Sequence, residues 1–316
     1  MDSRQATNLT SPDLPSLGVC FGFEIRSHLP FTYLRPGTGF PLRVVPSLPG
    51  ETMGAVERLQ AWPRAAGGQA TISLSRCESS AFGIGVGGQD WFRYDDRAST
   101  LTVSPIDHPA YREALLWGTP AAVAMSTRGD LVLHGASVDV GGAGVLINGP
   151  GGTGKTILAA AFHAAGHRLL SDDLSCCRPG ADPVVLPGPP LARLRPDSAA
   201  HIDPTGLAVM WQQANRVHVA VEADRRGSGD AIPLELIVLL DQTSGPLNGN
   251  PVPAAEALRD LLAMSFWLPV DDDRSRCFRG LGALISQVPV IRLRRPRDWA
   301  ALSETVAFVA DRVQRA

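Results

Sequence analysis

The chain has 316 residues, 44% of them hydrophobic and 19% charged, enough to bury a real core in one large or two modest domains. Its 29 basic and 31 acidic residues leave a formal net charge of −2, which excludes a general electrostatic attraction to nucleic acid or to an anionic membrane surface. No apolar run reaches the roughly 18 residues that a membrane span requires. The five cysteines, Cys20, Cys77, Cys176, Cys177 and Cys277, fit neither a disulfide framework nor C-x-x-C zinc spacing.

Residues 1–16 read as a polar, proline-containing flexible tail. It leads into no long apolar segment, so no signal peptide is expected and a cytoplasmic location is. Residues 17–125 form a β-rich N-terminal region. Short alternating runs at Phe21 to Ile25, Pro41 to Val45, Ala70 to Leu74, Phe82 to Val86, Trp91 to Tyr94 and Leu101 to Val103 are bounded by Gly, Pro and Asp, the pattern of small, mostly antiparallel strands. Asp95 to Ser99 turns one hairpin. Arg112 to Met125 reads as a helix, and Thr127 to Asp130 as the turn into a strand carrying His134. This region serves as packing for the C-terminal part of the chain, or presents a strand edge to a peptide.

Residues 126–316 hold the chemistry. Val145-Leu146-Ile147 reads as a buried strand. It runs into Gly149-Pro150-Gly151-Gly152-Thr153-Gly154-Lys155-Thr156, which fits G-x-x-x-x-G-K-[ST] at every fixed position. Ile157 to Ala165 then reads as a helix closed by Gly166. Strand, glycine loop and helix N-terminus gather backbone N–H groups around one point, which attracts polyphosphate. Lys155 reaches the outer phosphates, and the Thr156 hydroxyl suits Mg²⁺.

Leu169-Leu170 reads as a second strand, adjacent and parallel to the first, whose carboxyl end brings Asp172 and Asp173 beside the phosphate loop. Phosphoryl transfer needs an anion for Mg²⁺ and a group to orient or deprotonate the incoming hydroxyl, and two carboxylates can divide these roles. On a continuing strand they would face opposite ways, so a turn must begin there if both face the site. His134 can hydrogen-bond a carboxylate or a phosphate, or be a partly buried histidine satisfied by backbone.

After Asp173, Arg193 and Arg195 follow a rigid Pro187-Gly188-Pro189-Pro190 loop, and one of them, taken as Arg195, supplies positive charge to the transferred group. Val217 to Ala223 and the central Leu234 to Leu240 read as strands. Arg225 to Asp230 is a flexible connector that can lie near the nucleotide. Ala254 to Met264 is an amphipathic helix with Leu258, Leu261 and Leu262 inward. Asp271 to Arg274 reads as a solvated acidic loop. Arg292, Arg294, Arg295 and Arg297 form a basic patch that can steer an acidic peptide but reads first as a solvated sheet edge, and Glu304 to Val313 reads as a closing helix. His163 and His167 lack a third ligand, and Gly166 separates them, so no metal site is expected there.

Leu133 to Val140, Gly144 to Ile147, the phosphate loop, Ala165-Gly166-His167-Arg168-Leu169-Leu170 and Ser171-Asp172-Asp173 together resemble the catalytic core of HPr kinase/phosphorylase. Pro190 to Ser198, Ile237 to Leu240 and Val288 to Leu293 resemble the shorter HPr-kinase-related proteins. Some of those accompany peptide-modifying pathways, including kinases that phosphorylate a serine of lasso-peptide precursors. The resemblance implies an α/β fold, a P-loop kinase core of the HPr kinase C-terminal-domain type, behind a small β-rich N-terminal region. It implies ATP and Mg²⁺, with Gly149, Pro150, Gly151, Gly152, Thr153, Gly154, Lys155 and Thr156 on the nucleotide phosphates. Thr156 and one of Asp172 and Asp173 would bind Mg²⁺, the other aspartate would be the base, and His134 would lie near the phosphates. The implied partner is a peptide or protein carrying a serine, with ribosomally made lasso-peptide precursors as one class, and the family forms homo-oligomers. The chain carries no counterpart of the family's C-terminal signature or N-terminal domain, so the resemblance does not extend to HPr as acceptor or to the reverse phosphorylase activity. A small-molecule hydroxyl kinase and a nucleotide-binding adaptor without catalysis are the alternatives; both intact carboxylates favour chemistry over binding alone.

Overall fold

Alternating runs cut by tight turns build the first layer of the molecule. The computed structural model describes residues 14–48, 51, 54–63, 71–78, 81–106, 108–213, 215–270 and 272–315. Most of the tail expected over residues 1–16 lies outside the described residues, as do Ala70 and Asp271. Strands β1 (Ser16–Cys20), β2 (Phe23–Arg26), β3 (Phe40–Pro46), β4 (Ala55–Pro63), β5 (Thr71–Cys77), β6 (Phe82–Val86), β7 (Gln89–Asp95) and β8 (Thr100–Val103) form one sheet in the order β1-β2-β3-β8-β7-β6-β5-β4. The pairs β2–β3 and β3–β8 are parallel, and the other pairs are antiparallel. Asp95 Oδ1 accepts from the Ala98 N–H at 3.1 Å in the turn between β7 and β8. The edge strand β4 escapes a sequence reading because its first residues, Ala55 to Arg58, are all exposed and show no buried alternation.

The segment expected as one helix is two, α1 (Pro109–Leu116) and α2 (Thr119–Thr127). Pro120 lacks the N–H that a continuous helix would need, and it sits instead in the first turn of a new one.

The strand expected through His134 also divides, into β9 (Leu131–Leu133) and β10 (Gly135–Val140). Next come β11 (Ala143–Asn148), α3 (Lys155–Ala164), β12 (Arg168–Ser171), β13 (Ser175–Arg178), β14 (Val184–Leu186), β15 (Leu191–Leu194), α4 (Pro196–Ala199), β16 (Leu207–Gln213) and β17 (Arg216–Val221). The chain closes with β18 (Ile232–Thr243), β19 (Asn248–Pro251), α5 (Ala254–Ala263), β20 (Ser265–Phe266), α6 (Asp273–Ile285), β21 (Val290–Pro296) and α7 (Ala301–Gln314). The large sheet runs β12-β10-β11-β18-β14-β13-β9-β20, with β21 on β18 and β19 on β21. β15, β17 and β16 make a separate antiparallel sheet.

The structure corrects two sequence expectations. β12 is not adjacent to β11: β10 lies between them, antiparallel to both. The Gly141-Gly142 turn, with φ of +66° and +96°, folds β10 straight back on β11 and occupies that edge first. Two antiparallel steps leave β12 pointing the same way as β11, so its carboxyl end still reaches the phosphate loop. β21 is not a solvated edge, because it pairs with β18 on one side and β19 on the other. The central strands β11, β18 and β21 are parallel, and β11 and β18 are buried and apolar on both faces over Val145 to Ile147 and Leu236 to Leu240. One face packs on α3, α7 and the β15–β17 sheet through residues such as Phe162, Val219 and Val309, and the other on α5 and α6 through Leu261 and Leu281. Leu258 and Leu262 pack partly buried beside Leu261, as the helix pattern implies.

Asp273 overturns the reading of a solvated acidic loop. It is 3% exposed, accepts from Ser126 Oγ at 2.8 Å and from the Leu268 N–H at 2.5 Å, and pairs with Arg276. The Arg225 to Asp230 connector is held by the N-terminal region: Arg226 Nη1 donates to Thr32 O at 2.5 Å, and the Gly229 N–H to Pro36 O at 2.8 Å.

The N-terminal region is joined to the core by a buried cation. Arg35 is 1% exposed; its Nε donates to Gly188 O at 3.1 Å and its Nη2 to Leu169 O at 2.7 Å and Leu170 O at 3.1 Å. Nη1 meets Arg226 O. Burial draws its pKa down to about 9. Arg35→Met removes the charge while leaving these carbonyls buried without donors, and is expected to lower stability by about 3 kcal/mol. Urea unfolding of the two proteins measures this, and equal midpoints would show that the carbonyls find other donors.

Candidate active site

The phosphate loop leaves β11 at Asn148 and enters α3 at Lys155. Gly149, with φ +152°, passes so close to β18 that a Cβ there would sit 2.5 Å from Leu240 O. Gly152 and Gly154 adopt φ of +86° and +95°, conformations that glycine takes without penalty. Thr153 Oγ1 donates to Pro150 O at 2.9 Å, and Gln242 Nε2 to Gly152 O at 3.2 Å, which fixes the loop from within and from β18. Gly154 caps α3 with no side-chain bond, leaving the first-turn N–H groups available to an anion. Lys155 Nζ donates to Gly149 O at 2.7 Å and Pro150 O at 3.1 Å. Burial lowers its pKa, opposed by Asp172 and Asp173.

The turn that the Asp pair requires is present. β12 ends at Ser171, and Asp173 takes a left-handed φ of +72°, so the alternation of a strand is broken between the two carboxylates. Asp172 is 9% exposed; its Oδ1 accepts from Thr156 Oγ1 at 2.9 Å and its Oδ2 from the Arg193 N–H at 3.0 Å. Asp173 Oδ2 accepts from Arg193 Nη1 at 2.8 Å, and its Oδ1 lies 3.6 Å from His134 Nδ1. Burial, then the charge of Asp173, pushes the Asp172 pKa up. The Arg193 guanidinium holds Asp173 below the usual carboxylate range, with smaller help from His134, Lys155 and Arg216. The two neighbours are thus driven apart, one towards the neutral form and one towards the ion.

His134 sits at the break between β9 and β10, where Asn148 Nδ2 donates to its carbonyl at 3.0 Å. Its side chain is half exposed, and that of Asp173 is about one-third exposed, so this side of the site is open to an incoming group. Beneath it, Ser171 Oγ lies 2.7 Å from Ser137 Oγ and 3.1 Å from Ser175 Oγ, a buried hydroxyl chain that ties β12 to β10 and β13.

His134, Lys155, Thr156, Asp172 and Asp173 therefore converge. Arg195 does not: it is exposed, beyond the end of β15, where its backbone caps α4. Arg193 takes the place at the Asp pair, through both its backbone N–H and its guanidinium. Both arginines follow the same proline loop, and only the pairing of β15 with β17, Arg193 opposite His218, decides which one reaches the site. Thr156 Oγ1 and the Asp172 carboxylate are hard oxygen donors already in contact, a set that suits Mg²⁺. All five cysteines are free and buried. No helix among the described residues is long and apolar enough to cross a membrane.

No family model matches the chain, and no curated protein matches it. Among solved structures it is similar to the Hpr(Ser) kinase/phosphatase from Coxiella burnetii, at 13% identity over 58% of this chain and 97% of that one, with a TM-score of 0.33. At that distance nothing about fold or activity transfers from one protein to the other.

Proposed function

We propose that this chain is an ATP- and Mg²⁺-dependent phosphotransferase of the HPr-kinase type that transfers the γ-phosphoryl group to a serine hydroxyl on a peptide or protein. One observation carries the reading. The lysine of the phosphate loop, a hydroxyl–carboxylate pair and a second carboxylate held by an arginine and a histidine meet at one end of the central sheet. Nucleotide binding alone does not require the second carboxylate, which favours a kinase over an adaptor.

The division of labour follows from the surroundings of each group. The loop N–H groups and Lys155 hold the phosphate chain. Thr156 and Asp172 are the metal side of the site, because they already share a hydrogen bond and Asp172 is the more buried of the two carboxylates. Held by these two groups, Mg²⁺ would supply positive charge to the outer phosphates. Asp173 is the acceptor side. Its left-handed backbone turns it outward, Arg193 keeps it ionised, and its open flank admits a hydroxyl. The serine O–H donates to the Asp173 carboxylate, which aligns the oxygen and takes its proton as the new O–P bond forms and the bond from Pγ to the bridging oxygen breaks, leaving ADP with that electron pair on the loop. A carboxylate of low pKa suffices, because a loose transition state asks little of its base. Arg193 and His134 position Asp173, and the implied setting is the cytoplasm, where ATP is plentiful.

Incubation with ATP and Mg²⁺, followed by mass spectrometry of HPr and of short precursor peptides encoded near the gene, tests the acceptor. One added phosphate on a peptide serine, lost in Lys155→Ala, is the expected result. No transfer to either while nucleotide still binds would point to a small-molecule kinase or an adaptor.

Asp173→Asn is expected to lower the rate by about 10²–10⁴ with nucleotide affinity kept. Asp172→Asn is expected to raise the Mg²⁺ concentration needed for half-maximal turnover. Near-normal turnover and metal dependence in both variants would overturn the roles given to the pair.

A further inference from the structure

The arginines of β21 are not alike. Arg292 Nη2 lies 2.6 Å from both Glu256 and Asp260 on α5, and Arg294 Nε lies 3.8 Å from Asp241. Arg295 forms no such pair among the described residues. It is 3% exposed, its Nη1 donates to Pro296 O at 3.2 Å, and its Nε has no hydrogen-bond partner. Burial lowers its pKa, and no acidic group opposes the effect.

This buried cation lies against the phosphate loop. A Cβ built on Gly154 would stand 2.5 Å from Arg295 Nη2 and 3.5 Å from its Cζ. Gly154 is also the residue that leaves the first turn of α3 uncapped. A guanidinium short of partners and a helix end short of acceptors therefore share one residue, and no anionic side chain among the described residues pairs with that guanidinium or caps that helix end. An uncompensated buried charge is costly, and it is retained where a ligand completes it.

We propose that Arg295 is a phosphate-binding residue whose counter-ion is the polyphosphate of the nucleotide seated on Gly149 to Thr156. The proposal rests on the nucleotide reading above and adds to it a cation from the far end of the chain. It also gives a reason for glycine at position 154 beyond backbone conformation: any side chain would displace the guanidinium.

The alternative role for Arg295 is a prop that merely fills space behind the loop. Calorimetric titration of the full chain with Mg-ATP, and separately with inorganic tripolyphosphate, distinguishes the two when paired with ligand-free thermal unfolding. Wild type, Arg295→Met and Arg295→Gln are compared. A phosphate-binding role predicts that both variants lose about tenfold or more in affinity for both ligands. It also predicts that Arg295→Met unfolds, without ligand, at or above the wild-type temperature, because an unpaired buried charge has been removed. Wild-type affinity in either variant overturns the proposal and leaves the nucleotide reading intact. Failure of both variants to fold is the result for a prop and overturns it too. Absence of binding by the wild-type protein overturns the nucleotide reading and this proposal together.

Discussion

A guanidinium removed from water must recover its hydrogen bonds from the protein, and Arg35 does so from backbone carbonyls alone. Two of them, Leu169 O and Leu170 O, belong to the strand that delivers the Asp pair. A third, Gly188 O, lies in the proline loop that leads to Arg193. Arg35 therefore fixes both arms of the candidate site from one side chain, and that side chain comes from the N-terminal region. Gly188 lies so tight against Phe21 that a Cβ there would run into the ring, which seals the same junction sterically. The N-terminal region, which the sequence leaves open as packing or as a peptide dock, packs at this junction against both arms of the candidate site. Glu113 reinforces the junction by accepting from the N–H groups of Thr32 and Tyr33 and from Trp117 Nε1, which fixes the loop ahead of Arg35.

With both arms fixed, the electrostatics of the site become a matter of placement. Two adjacent carboxylates repel, and the chain resolves the conflict by giving them different surroundings. Asp172 is drawn inward, where burial disfavours its charge. Asp173 adopts a left-handed backbone, at a cost of the order of 1 kcal/mol, and gains the Arg193 guanidinium. Lys155 stands between these acids and the loop carbonyls, so its position depends on what else occupies the loop.

The phosphate loop is legible in the sequence because its constraints are local: glycines at fixed offsets, a strand before and a helix after. The need for a turn at the Asp pair is equally legible, since strand alternation would otherwise separate the two side chains. Sheet order is not, because the position of β10 between β11 and β12 is set by a hairpin that local pattern does not rank against a crossover. Asp273 is hidden for a related reason. Three consecutive aspartates look solvated, yet Ser126 and the Leu268 backbone arrive from elsewhere to bury the third. Arg193 and Arg195 are chemically identical, and only register with β17 tells them apart.

Arg35 and Arg295 are both almost wholly buried, and they differ in how far the fold meets their hydrogen-bonding needs. Arg35 has donors directed at four carbonyls, so the fold itself meets its needs. Among the described residues Arg295 has one carbonyl, an Nε without a partner and a face pressed on the glycine that opens the α3 N-terminus. Folding satisfies the first and leaves the second incomplete. Arg295 shares a buried, unpartnered Nε with other arginines such as Arg112 and Arg168, and what sets it apart is its contact with Gly154 of the phosphate loop, which is the ground for proposing the anion of that loop as its counter-ion.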